Sequence, residues 1–189
     1  MAKFATCSLD KSVWLWTLDE SNNWPPVTTS KLHETHTSEV TCLYYDLNKN
    51  TLFSGGKDCR LVGYDLAHER VSYGGGKDTR KEMGIKDILP VGEVNPQLLA
   101  LDCLVRSTTV QNAEFSIVDT RCGYDQVLKI SRGSPTGNYH KANIHPNGML
   151  VAAGNNLNEI CIWDLRYIKV RNDQPQKIAD VHQKGIPSI

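Results

Sequence analysis

The sequence predicts an all-β chain in which one structural unit is written several times. Three observations predict it. Runs of alternating and β-branched residues recur with a similar ending: Val13-Trp14-Leu15-Trp16-Thr17, Leu61-Val62-Gly63-Tyr64-Asp65 and Ile160-Cys161-Ile162-Trp163-Asp164, a strand pattern and not a helical one. The recurrences are spaced: Asp10 and Asp58 stand 48 positions apart, as do Trp16 and Tyr64, and Tyr64 and Trp163 are 99 apart, which leaves room for two further units. Between the runs lie turn signals such as Leu9-Asp10-Lys11-Ser12, Asp46 to Asn50 and His145-Pro146-Asn147-Gly148, residues whose side chains or missing Cβ favour tight reversals.

The elements follow in order. Phe4 to Ser8 and Val13 to Thr17 form a hairpin around the Asp10 turn, and the prolines of Trp24-Pro25-Pro26 allow a loop or an outer edge strand but not a central one. The second unit is the clearest, with His36 ahead of strands Val40 to Tyr45, Thr51 to Gly56 and Arg60 to Asp65. The third is degenerate: Met83 to Pro90, Gln97 to Cys103 and Phe115 to Arg121 supply its strands. The fourth runs through Tyr139 to Ile144, Met149 to Gly154 and Glu159 to Asp164, with Gln176 to Asp180 as an outer strand, and His182 with Ile186 to Ile189 starts a further unit. The approximate units are 1–32, 33–74, 75–131, 132–181 and 182–189, within one repeat region spanning 1–189.

Composition narrows the function classes. At 189 residues, 40% hydrophobic and 22% charged, the chain has a globular composition. The 21 basic and 21 acidic residues cancel, so the broad positive field that dominates nucleic-acid affinity is missing. Asp10 and Lys11 interrupt the N-terminus before a signal-peptide core builds up. No apolar run reaches the roughly 18 residues of a membrane helix. The six cysteines, Cys7, Cys42, Cys59, Cys103, Cys122 and Cys161, are scattered without a Cys-x-x-Cys pair, which fits buried thiols in a reducing cytoplasmic or nuclear setting better than a disulfide framework.

A spacing near 40 to 45 residues is that of a propeller blade, and these residues resemble the WD-repeat β-propeller family, whose blades are four-stranded antiparallel sheets. The resemblance implies a hydrogen-bonded structural tetrad of His, Ser/Thr, Asp and Trp in each full repeat. In the second unit it falls on His36, Ser54, Asp58 and Tyr64, the last a departure from Trp; in the first on Thr6, Asp10 and Trp16; in the fourth Trp163 is kept while Asn155-Asn156-Leu157-Asn158 replaces the Asp turn. With both ends falling inside a repeat, an incomplete propeller is expected. A four-bladed ring closed by Gly185 to Ile189 beside Phe4 to Ser8 is the alternative.

The same resemblance extends to a subset of the family. Trp163-Asp164-Leu165-Arg166 matches the Trp-Asp-x-Arg signature of substrate receptors that dock on the cullin-4 ubiquitin ligase adaptor, and Val118-Asp119-Thr120-Arg121 repeats the Asp-x-Arg ending one unit earlier. The resemblance implies that Arg166 and Arg121, with Asp164 and Asp119, sit at a propeller rim, where a guanidinium fork suits a partner's carboxylate or carbonyls. Equally open from the sequence is that such arginines pair with a neighbouring acid or stay solvated.

Other motifs carry less. Tyr73 to Thr79 is glycine-rich, but Gly-Lys-Asp is not a phosphate-loop ending and no helix follows, so an interblade turn is expected. His33, His36, His140 and His145 lack a metal-ligand spacing. His36, Ser54 and Asp58 have the residue types of a hydrolase triad, yet their repeat register points to structural hydrogen bonding. The expectation is a non-catalytic protein-interaction scaffold with no cofactor, metal or small-molecule substrate and no membrane or nucleic-acid role. Its alternatives are a cullin-4 ligase substrate receptor and a scaffold of another assembly in trafficking, RNA processing or chromatin, with the loops His33-Glu34-Thr35, Lys77 to Glu82 and Arg132 to Tyr139 as further binding candidates.

Overall fold

The computed structural model describes residues 2–18, 27–32, 36–74, 84–90, 103–108, 114–119, 126–131, 142–154, 158–166 and 176–178, with backbone alone for 103–108, 114–119 and 126–131. Within them are fifteen strands in four antiparallel sheets. They are β1 (Ala2–Cys7), β2 (Val13–Leu18), β3 (Val27–Leu32), β4 (Val40–Asp46), β5 (Thr51–Gly56), β6 (Leu61–Asp65), β7 (Arg70–Gly74), β8 (Ile85–Pro90), β9 (Cys103–Thr108), β10 (Glu114–Asp119), β11 (Gln126–Ser131), β12 (Ala142–Ile144), β13 (Leu150–Gly154), β14 (Ile160–Asp164) and β15 (Gln176–Ile178).

Each sheet is a meander in sequence order: β1-β2-β3, β4-β5-β6-β7, β8-β9-β10-β11 and β12-β13-β14-β15. The chain divides into two compact units, residues 1–85 and 86–189. The first holds the first two sheets and ends with the opening residue of β8; the second holds the rest of the third sheet and the fourth.

Alternation explains the core of the first unit. In the β1–β2 hairpin, Phe4 pairs with Trp16 and Thr6 with Trp14, while Ala5 pairs with Leu15 and Cys7 with Val13. Because the side-chain period of a strand is two, these pairs fall on opposite faces. The face bearing Ala5, Cys7, Val13 and Leu15 packs, together with Leu32, against Val40, Leu43, Tyr45, Leu52, Tyr64 and Leu66 of the second sheet. Burying one such Leu or Val is worth roughly 1.5–3 kcal/mol, so this seam holds the two sheets together.

The outer strands were the least legible elements. β3 starts directly after the prolines and pairs along all of β2, which selects the edge-strand option. β7 and β11 close their sheets where the sequence pattern marked no strand; Arg70, Val71 and Ser72 are exposed, so an outer strand need not show apolar alternation. Tyr73 and Gly74, expected in a turn, are the last residues of β7. Of the expected third-unit strand Gln97 to Cys103, residues 97–102 lie outside the described residues; the described strand starts at Cys103 and runs to Thr108. The expected outer strand at Gln176 is β15, paired with β14.

The turn before each aromatic-bearing strand repeats in detail. Ser8 N–H donates to Ser12 O and Lys11 N–H to Ser8 O, each at 3.2 Å; 48 residues later Gly56 N–H donates to Arg60 O and Cys59 N–H to Gly56 O, again at 3.2 Å. Asp10 Oδ1 accepts from Ser12 N–H at 2.9 Å and Asp58 Oδ1 from Arg60 N–H at 3.1 Å. The residue after each Asp lies in the left-handed region, Lys11 at φ 74° and Cys59 at φ 65°, and Asn158, five residues ahead of Trp163 as they are ahead of Trp16 and Tyr64, has φ 61°. A Cβ is strained there and glycine is not. Lys11→Gly, at an exposed position, is therefore expected to stabilise the chain by about 1 kcal/mol, read as a rise in the denaturant midpoint at unchanged m-value.

Candidate functional site

The best-formed polar cluster lies where the chain enters the second sheet. His36 Nδ1 is 3.1 Å from both carboxylate oxygens of Asp58, and His36 Nε2 is 2.8 Å from Ser54 Oγ. A carboxylate only accepts, so Nδ1 carries the proton that bonds Asp58, while Nε2 lies at hydrogen-bond distance from the Ser54 hydroxyl. Thr37 N–H adds a bond of 2.7 Å to Asp58 Oδ2. Burial pushes the Asp58 carboxyl up, but the His36, Thr37 and Arg60 hydrogen bonds and the His36 charge together outweigh it and hold the group below its ordinary value. Gly56 makes the approach feasible: a Cβ there would come within 2.7 Å of Asp58 Oδ1 and 2.8 Å of His36 Nδ1.

The order Ser, His, Asp is that of a hydrolase triad, but the environment is wrong for one. Ser54 and His36 are each 5% exposed, whereas a nucleophile must meet a substrate carbonyl beside an oxyanion hole. The cluster instead ties the incoming chain to the β5–β6 turn. Tyr64 stands at the fourth position and makes no hydrogen bond to Ser54. Its side chain packs into the seam with Leu52 and Val40, and burial raises its hydroxyl pKa, with Glu69 adding to the shift. An indole N–H lies on the side of the ring and can turn toward a neighbouring strand, while a phenol carries its only donor at the tip.

The first sheet shows what Trp does at the equivalent place. Trp16 Nε1–H donates to Thr6 Oγ1 at 2.9 Å, and its ring stacks on Phe4 with centroids 5.7 Å apart. Asp10 does not join that pair. It accepts from Ser12 Oγ–H at 2.5 Å, and Ser12 Oγ accepts from Trp14 Nε1–H at 3.1 Å, so the expected set divides into two small clusters. Ser12 and Trp14 were not anticipated; the signal was a Ser two residues after the turn Asp with Trp two further on. In the fourth sheet Trp163 is 2% exposed.

At the end of β14, Arg166 is clamped by its own strand. Its Nε–H donates to Asp164 Oδ1 at 2.9 Å, Nη2–H to Oδ2 at 2.5 Å, and its backbone N–H to Oδ1 at 3.0 Å. The acid in this contact thus comes from the same blade. The Arg166 hydrogen bond is the main reason the Asp164 carboxyl lies below its ordinary value. Both side chains remain partly open, 42% and 27% exposed. Asp119 closes β10 as Asp164 closes β14. Arg121 lies outside the described residues, as do residues 33–35, 75–83, 132–141, 155–157 and 179–189, including the candidate loops and His182.

Among the described residues no group of three or more His, Cys, Asp and Glu could hold a metal ion, Cys7, Cys42, Cys59 and Cys161 form no disulfide, and no helix is long and apolar enough to cross a membrane.

Residues 26–65 match the family model described as WD domain, G-beta repeat. Solved structures share the fold. A chain of the crystal structure of the mitotic checkpoint complex superposes with a TM-score of 0.67 at 16% identity, over 97% of this chain and 50% of that one. The WD40 beta propeller domain of Doa1 superposes with a TM-score of 0.63 at 15% identity, over 97% and 53%. The chain therefore has the fold of a WD-repeat β-propeller, with four blade units, and spans about half the length of these solved chains. A search of curated proteins finds no match.

Two outcomes follow from this geometry. Trp16→Phe removes the Thr6 bond and is expected to cost about 1 kcal/mol, whereas Tyr64→Phe, which breaks no bond to Ser54, costs less than about 0.5 kcal/mol; paired urea melts compare them. Because Asp58 is depressed in the folded state, its stabilisation is full above the unfolded value of 3.8 and is lost as pH falls through the lower folded value. Asp58→Asn should therefore lower stability at neutral pH and flatten its decline below about pH 4, as read by melting across a pH series.

Proposed function

We propose that this chain is a non-catalytic protein-interaction scaffold of the cytoplasm or nucleus, and that the strand ending Asp164-Leu165-Arg166 is its docking point for the cullin-4 ubiquitin ligase adaptor. The observation that carries the reading is the two-point clamp of Arg166 on Asp164. A long flexible side chain loses rotamer freedom when it binds; here much of that loss is already taken within the blade, and a partly exposed planar fork stands fixed at a strand end. A guanidinium so held suits planar recognition of a partner's carboxylate or carbonyl pair. Asp119 ends β10 as Asp164 ends β14, which supports the proposal that Arg121 acts with Arg166. Solved propellers of similar fold come from a multiprotein complex and from Doa1, which supports a role with protein partners.

The other reading is a scaffold of a different assembly, in which partners read the loops; the low sequence identity of the fold relatives favours no one assembly. The comparison that separates them is a pull-down with the purified adaptor, using wild type, Arg166→Ala, Arg121→Ala and Asp164→Ala. Docking through the rim predicts at least a tenfold loss of affinity, about 1.4 kcal/mol, in Arg166→Ala and a smaller loss in Asp164→Ala, where the fork is released but present. Equal binding by all four, or binding by none, leaves the general scaffold reading.

A further inference from the structure

Between the first two sheets is a cavity of about 140 Å³. Phe4, Ala5 and Leu15 line it from the first sheet, and Tyr45, Leu52 and Leu66 from the second sheet and its turn. It is near the size of an apolar cavity of about 150 Å³ that accepts benzene, so it admits one ring or one branched aliphatic side chain. The one polar tip in that wall is tied off: Tyr45 Oη–H donates to Asn50 Oδ1 at 2.5 Å, which leaves the ring to face an apolar guest.

Lys3 completes the lining and supplies the charge. Its side chain is exposed and has no ion-pair partner among the described residues. Lys49, in the turn after β4, is engaged with Asp46 at 3.5 Å, and Lys57, beyond β5, with Glu39 at 2.5 Å. The cavity thus pairs an apolar slot with one uncommitted ammonium at its wall.

We infer that this cavity is a docking site for a protein segment that inserts one Leu- or Phe-sized side chain and carries an Asp or Glu beside it to meet Lys3. A chain of balanced net charge with a single basic residue in the cavity lining lacks there the cluster of basic residues that draws a protein to an anionic membrane. A single apolar anchor with an adjacent charge is the usual economy of short-peptide recognition, in which a buried side chain supplies affinity and a charged neighbour fixes register. The inference rests on the scaffold reading but not on Arg166.

The test is selection of a random dodecapeptide phage library on the immobilised full chain, followed by anisotropy titration of the enriched peptides. Enriched sequences are expected to share Leu, Met or Phe with Asp or Glu within two positions. Their affinity should fall at least tenfold against Ala5→Leu, which fills the slot, and against Lys3→Glu, and should be unchanged against Arg166→Ala. Replacing the peptide acid by lysine should restore binding to Lys3→Glu, a rescue that decides the matter even where Ala5→Leu fails to fold. Absence of enrichment, enrichment without the apolar-acid pair, failure of the rescue, or binding that survives both cavity variants overturns the site. Survival with full affinity overturns the cavity alone and leaves the scaffold reading standing, because a peptide is then bound elsewhere.

Discussion

The Asp58 carboxylate is the point on which the second sheet depends. It receives His36 and Thr37 from the chain entering β4 and Arg60 from the chain entering β6, so one side chain fixes where the sheet begins and how it turns. A buried acceptor with this many donors is stable only while every partner stays in place, and that accounts for the absence of a side chain at Gly56. The seam of Val13, Leu32, Val40 and Leu52 supplies apolar burial between the first two sheets. Burial is non-directional and selects which face of each strand turns inward; the carboxylate fixes where the sheet begins and turns.

The second unit was legible in advance because both kinds of information coincide in it. Its strands alternate, its turn has Asp58, and its polar residues fall at repeat spacing. The first unit was half legible: Trp16 and Thr6 form a pair, but Asp10 turned to Ser12, a choice made by a hydroxyl two residues away that spacing could not reveal. Outer strands such as β7 escaped because exposed strands are under no pressure to alternate. Tyr64 was placed at its position correctly and its chemistry was not, since a repeat pattern records where an aromatic sits and says nothing about which edge of the ring carries a proton.

The same distinction governs the candidate sites. Short motifs pointed to Arg166, and the geometry adds a two-point contact with Asp164 of its own blade, a relation that residue spacing alone does not reveal. The cavity beside Lys3 had no motif at all. It arises from residues as far apart in sequence as Phe4 and Leu66, brought together by packing two sheets.

The left-handed turn residue is Lys at position 11, Cys at position 59 and Asn at position 158. Three unrelated side chains occupy one backbone well, and none is the glycine that the well prefers. Around positions 11 and 59 the turn makes the same pair of backbone hydrogen bonds whichever residue stands at the bend. Blade geometry is thus carried by a torsion and the hydrogen bonds around it, so that a comparison of residue identities passes over a bend that a comparison of torsions finds.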